Sequence, residues 1–138
     1  MNRNDLRILA GIRLNEARKL LSEGFPHGAY YLAGFAVECG LKACIAKKAR
    51  RYDFPDKDLT SKSYSHNFEQ LVAVAGLEQV LKTELHANPA FEVNWAIVLG
   101  WKVDSRYNTL LTDPEARDLV QAITARTDGV MHWIRSQW

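Results

Sequence analysis

The sequence predicts an all-α protein, an antiparallel up-and-down bundle of four to six helices forming one domain over residues 1–138. Three observations carry this expectation. Residues 28–48, GAYYLAGFAVECGLKACIAKK, are apolar at nearly every angular position, as in a helix enclosed by other helices. Within them Ala29, Ala33, Ala36, Gly40 and Ala43 recur at alternating steps of four and three, a stripe of small side chains that lets a neighbour approach closely. Two cap-plus-proline signals, Asn88-Pro89 and Thr112-Asp113-Pro114, each open an amphipathic run, and no hairpin pattern occurs.

The first helix is expected from Asn2–Asn4 to Glu23, with Leu6, Leu9, Ala10, Ala17, Leu20 and Leu21 as its apolar stripe. Gly24 suits the position just past a helix end, and Pro26 forbids continuation, so a short break should turn the chain into an antiparallel hairpin. The second, central helix ends near Arg51. Residues 52–65, YDFPDKDLTSKSYS, lack any sustained period and read as a loop, the longest in the chain.

A short helix follows from His66, with Phe68, Leu71, Val72 and Ala75 facing inward. Gly76 interrupts it before a second piece that runs through Leu85. Pro89 launches a helix that turns Phe91, Trp95, Val98 and Leu99 to one side and stops at Gly100. Residues 101–111 connect to the last helix, for which Thr112 and Glu115 form a capping box. This final helix is expected to be continuous, with Ala116, Val120, Ile123, Thr127, Val130 and Ile134 on one stripe.

Composition narrows the class. With 47% hydrophobic and 25% charged residues, the chain has the balance of a globular domain. The polar N-terminus MNRNDLRILAG has no signal-peptide core, and Glu38 and Lys42 interrupt the only long apolar run, which argues against a membrane span. Cys39 and Cys44 lie five apart on one helix and point about 140° away from each other, so they cannot pair. Two reduced, buried thiols in a cytoplasmic protein are the expectation. The net charge of +2 is uneven: residues 1–51 carry 10 Lys/Arg against 4 Asp/Glu, and residues 52–138 carry 8 against 12. A basic half attracts nucleic acid or an acidic partner, or it is a solvated face in which Lys47, Lys48, Arg50 and Arg51 complement a helix C-terminus.

No phosphate-cradling glycine loop, nucleophile elbow or paired-histidine metal motif is present, and no metal or cofactor is implied. Glu38 stands out as a carboxylate within an enclosed helix, where it needs a partner. Lys42 is one turn away and Arg106 is the long-range candidate. The result is either a structural ion pair or a polar pocket between helices. His66, at the loop-to-helix transition, is a cap or packing residue, or else a group that contacts phosphate or moves a proton. Arg126 and His132 are six apart, which on a continuous helix points them about 120° away from each other. Only a break at Asp128-Gly129, or a symmetric dimer, brings them together. Tyr30, Tyr31, Trp101 and Tyr107 are candidate stacking residues, and Trp133 and Trp138 read as an oligomer contact.

The pattern EARKLLSEGFPHGAYYLAGFAVECGLKACI, then SHNFEQL, then SRY before a last amphipathic helix, resembles the HEPN domain family. Ala17, Leu20, Leu21, Gly24, Ala29, Ala33, Glu38, Leu41 and Lys42 stand where that family has its helix-pair pattern. His66 with Leu71 resembles the H-[DN]-L..L element, here with Asn67 and Phe68, and Arg106-Tyr107 resembles the RY element. The resemblance implies a homodimeric helical bundle that acts in RNA metabolism, defence or toxin–antitoxin systems. Some members are metal-independent ribonucleases with an R-x(4–6)-H motif. Others bind nucleotides or RNA, or pair with a small nucleotidyltransferase.

The sequence departs from the catalytic pattern in two respects. Thr127 follows Arg126 where the ribonucleases carry Asn, Asp or His, and the pair falls inside a predicted helix. The leading expectation is therefore a non-catalytic member that binds a nucleotide, RNA or a partner such as an antitoxin or nucleotidyltransferase. Its ligand-facing residues are Glu38, Lys42, His66, Arg106 and Tyr107. The alternatives are a ribonuclease using Arg126 and His132, or a structural dimerisation module.

Overall fold

The structure, a computed structural model, describes residues 1–51 and 61–138, with Arg50 and Arg51 described by backbone alone. Most of the loop expected over 52–65 lies outside the described residues. At its end, residues 61–62 are helical and 63–64 form a turn. Among the described residues the chain is all-helical, without a strand.

Helix α1 (Arg3–Ser22) starts from Asn2, whose side chain accepts from the Asp5 N–H at 2.9 Å while the Asp5 carboxylate accepts from the Asn2 N–H at 3.2 Å. These reciprocal bonds satisfy two otherwise orphaned donors. The helix ends where Gly24 takes φ 85°, with the Phe25 N–H on Leu20 O at 2.8 Å and the Gly24 N–H on Leu21 O at 3.2 Å. That pairing closes the helix and reverses the chain. Its fully buried residues are Ala10, Leu14 and Ala17, so Leu14 joins the expected stripe.

Helix α2 (Pro26–Arg51) begins two residues before the predicted start because Pro26 fits the first helical position. It packs against α1 along its length and against most of the later elements. All five members of its small-residue stripe are buried. By length and composition Pro26–Ala49 is apolar enough to cross a membrane, but 67% of that window is buried inside the bundle. Its hydrophobic surface is used by neighbouring helices.

Beyond α2 come α3 (Phe68–Val74), α4 (Glu78–Ala87) and α5 (Pro89–Leu99), then a 3₁₀ turn (Val103–Tyr107), α6 (Asp113–Thr124) and α7 (Val130–Ser136). Asn67 and Asn88 cap α3 and α5 by accepting from the Gln70 and Phe91 N–H groups at 3.0 and 3.2 Å. Thr112 caps α6, accepting from the Glu115 N–H at 3.3 Å and donating to its carboxylate at 3.1 Å. Phe91, Trp95 and Trp133 form one aromatic cluster with centroids 5.7–6.4 Å apart.

The predicted final helix is two helices, which raises the count among the described residues to seven. Ala125 leaves the helical region with ψ 137°, and the Gly129 N–H donates to Ala125 O at 3.1 Å. A Cβ on Gly129 would overlap the Ala125 carbonyl, so this closure needs glycine. Asp128 is held from α5: Asn88 Nδ2 donates to its carboxylate and Asn94 Nδ2 to its carbonyl, each at 2.9 Å. Thr127 thereby leaves the buried stripe and is exposed, while Val130 and Ile134 remain in the core on α7.

Candidate functional site

Glu38 sits at the middle of α2 and is only 1% exposed, the one charged residue in the buried core among the described residues. Lys42, one helical turn on, places Nζ 2.7 Å from Oε1. The second partner comes from 28 residues away: His66 Nδ1 lies 3.0 Å from both Oε1 and Oε2. An ionised carboxylate only accepts, so Nδ1 is the donor. Nε2 carries no hydrogen bond among the described residues, and the His66 side chain remains about half exposed (51%). His66 therefore rests on a buried carboxylate with its second nitrogen available, the arrangement that orients an imidazole for proton transfer or for binding an anion or hydroxyl.

His66 also lines a cleft of about 230 Å³ whose other walls come from Asn67–Glu69, from Leu99 and from Trp101–Asp104. Local folding explains the placement. Asn67 rather than His66 caps α3, which leaves His66 just outside the helix and free to reach back to α2. Phe68, the first residue of α3, is buried and stacks on the Trp101 ring at 5.2 Å, and Trp101 stacks in turn on Tyr31 at 6.3 Å. Trp101 lies flat against α2 at Gly34, where a Cβ would overlap the indole. Its Nε1–H is buried without a partner among the described residues. The cleft rim bears Glu69, Lys102 and Asp104, charges of both signs.

Glu38, Lys42 and His66 are thus brought together, as a three-member cluster. Arg106 is not Glu38's partner. It is exposed on the 3₁₀ turn, 4.9 Å from the Tyr107 ring centroid. Tyr107 and then Tyr31 push its guanidinium further above the usual value. Tyr107 is 73% exposed. The two residues extend the aromatic ledge of Trp101 and Tyr31 but do not line the cleft itself. An ion pair of Glu38 with Arg106, buried with no cavity beside it, is ruled out by this arrangement.

Arg126 and His132 are also placed differently from expectation. Both are exposed and flank the break, Arg126 in the turn and His132 in the first turn of α7. Within one continuous helix they diverge; here the helix is interrupted between them. Trp133 belongs to the core cluster and Trp138 is partly buried, its Nε1–H donating to Gly40 O at 3.1 Å beneath the Arg7 guanidinium. Both indoles are engaged within the chain, Trp133 in the core and Trp138 partly so. Cys39 and Cys44 are buried and unpaired, and burial pushes both thiols up to about 11. Among the described residues no group of three His, Cys, Asp or Glu side chains is placed to hold a metal ion.

Two features of the site have no direct local signature in the sequence. The His66–Glu38 bond joins residues with no spacing relationship, and Trp101, a stacking candidate by residue type, is also a wall of the cleft. Gly34 was the available signal for the second, a glycine in a helix interior where only a close neighbour justifies it. No protein-family model, no curated protein and no solved structure matches the chain.

Proposed function

We propose that this chain is a HEPN-type helical domain that binds a nucleotide or RNA at the His66 cleft. The observation that carries the reading is the seating of His66 on buried Glu38, which fixes one ring nitrogen and leaves the other for a ligand beside a cleft of about 230 Å³. The volume suits a nucleobase or a sugar-phosphate unit rather than a larger ligand. At the rim Lys102 stands between Glu69 and Asp104, and beyond it Arg106 with Tyr107 offers a cation and an exposed ring for an extended strand. Glu38 and Lys42 act as positioning residues. In this reading the domain works as a homodimer, with an antitoxin or small nucleotidyltransferase as its protein partner. Anisotropy titrations of fluorescent single-stranded RNA and of a labelled nucleotide test it. His66→Ala and Arg106→Ala should each weaken binding by about tenfold, the effect of one lost charge-assisted contact. Unchanged affinity in both variants would overturn it.

A second reading is favoured by the helix break. Exposed Arg126 and His132, with five residues between them at a helix junction, suit a metal-independent ribonuclease assembled across a dimer axis. Arg126 would stabilise charge on the transferring phosphoryl group, and His132 would take or return the 2′-hydroxyl proton. RNA cleavage in EDTA that His132→Ala abolishes is its test.

A further inference from the structure

A second cavity of about 290 Å³ lies away from the His66 cleft, at the other end of α3. Cys44, Lys47 and Lys48 of α2 form one wall, Ala75, Gly76 and Leu77 of the α3–α4 turn another, and Gln137 closes the side below α7. Lys47 Nζ donates to the carbonyls of Gln137 and Trp138 at 3.2 and 3.1 Å, and Lys48 Nζ donates to the Val74 carbonyl at 3.3 Å. Adjacent residues on a helix diverge by about 100°. These tethers nevertheless hold both ammonium groups to one cavity.

Neither lysine has a side-chain carboxylate within ion-pair distance among the described residues, so the Val74 and Gln137 carbonyls orient the two ammonium groups without a side-chain anion cancelling them. Each ammonium has three donors. Lys47 uses two and Lys48 one, which leaves three N–H groups for an incoming acceptor. Cys44 adds no charge: burial raises its thiol to about 11 and keeps it protonated at neutral pH. The Gln137 amide donates to Ser136 Oγ at 3.0 Å and retains a further N–H. The cavity is at the small end of ligand sites, sized for a compact anion.

We propose that this cavity is an anion site that takes a phosphoryl or pyrophosphoryl group, through Lys47, Lys48 and Gln137. The group belongs either to a free nucleotide or to a nucleic-acid backbone, and the site is independent of the His66 cleft.

Amide chemical shifts of Gly76 and Leu77 in the full chain report on it directly. Inorganic pyrophosphate and a short single-stranded RNA are titrated separately into the wild type, into Lys47→Gln/Lys48→Gln, and into His66→Ala. Saturable shifts with pyrophosphate identify a free phosphate ligand, and shifts with RNA alone identify the backbone. In either case the double variant should weaken binding by about tenfold or more, while His66→Ala leaves it unchanged. If the double variant loses its fold, the single substitutions are read instead, and each should weaken binding measurably. Absence of saturable shifts with both probes would overturn the proposal. Equal binding by the lysine variants, an adventitious ion only, would overturn it too.

Discussion

Glu38 presents both carboxylate oxygens to His66 Nδ1 at 3.0 Å, and this bond ties the start of α3 to the middle of the central helix. Lys42 closes the cluster from the other side at 2.7 Å. The three residues differ in their access to water: Glu38 is enclosed, Lys42 keeps about a fifth of its side chain exposed and His66 about half. The consequences of removing each one differ accordingly.

Lys42→Ala leaves the buried carboxylate with His66 alone and should cost about 3 kcal/mol, because a charge then stays enclosed with weakened compensation. Glu38→Ala releases two donors, Lys42 and His66, that can turn toward solvent, and its cost should be smaller, about 1–3 kcal/mol. Urea denaturation of the two variants checks the order. A larger loss from Glu38→Ala would mean that packing, rather than charge, dominates the site.

Gly34→Ala should displace Trp101, since a flat indole pressed on a helix backbone cannot absorb an extra methyl. We expect a loss of about 1–3 kcal/mol, with a change in tryptophan emission and a weakened ligand response at the cleft it walls. Retention of all three properties would show that Trp101 is not fixed by that contact.

Gly129→Ala removes the close approach that lets the chain turn between α6 and α7. Backbone on backbone leaves no flexible side chain to give way, so the loss should exceed about 2 kcal/mol. Asn88→Ala, which deletes the α5 cap and one anchor of Asp128 together, should cost about 1–2 kcal/mol. Thermal unfolding of both variants measures these effects.

Burial raises the thiols of Cys39 and Cys44 from 9.0 to about 11, with Glu38 adding to the effect at Cys39. The folded state thus favours the protonated thiol. That contribution is fully present below pH 9 and is lost as pH rises through about 11. The melting temperature should fall across this window, and less steeply in a Cys39→Ala/Cys44→Ala variant. At pH 8 neither thiol should react with a disulfide reagent until the protein is unfolded.

The helical class, the capping residues and the central role of α2 were legible because each rests on local chemistry. Asn88-Pro89 and Thr112-Asp113-Pro114 start helices wherever they occur, and an enclosed small-residue stripe has one common use. The break before α7 was not legible from periodicity, because Val130 and Ile134 stay in the core whether or not the helix is continuous. Asp128-Gly129 marked the place, but the tethers from Asn88 and Asn94 that stabilise it come from another helix. The site was half legible. Glu38's need for a partner and Lys42's spacing follow from the sequence. The choice of His66 over Arg106 is set by tertiary packing of α3 on Trp101, which no spacing reveals.

The most direct test of the account is the imidazole of His66 observed by nitrogen-15 NMR during titration with single-stranded RNA and with a nucleotide. Nδ1 should remain hydrogen-bonded to Glu38 throughout, while the Nε2 resonance moves saturably with one of the ligands and the cleft amides of Asn67 and Lys102 move in step. If the protein binds either ligand while His66 Nε2 and those amides stay still, the ligand site lies elsewhere and the central claim fails.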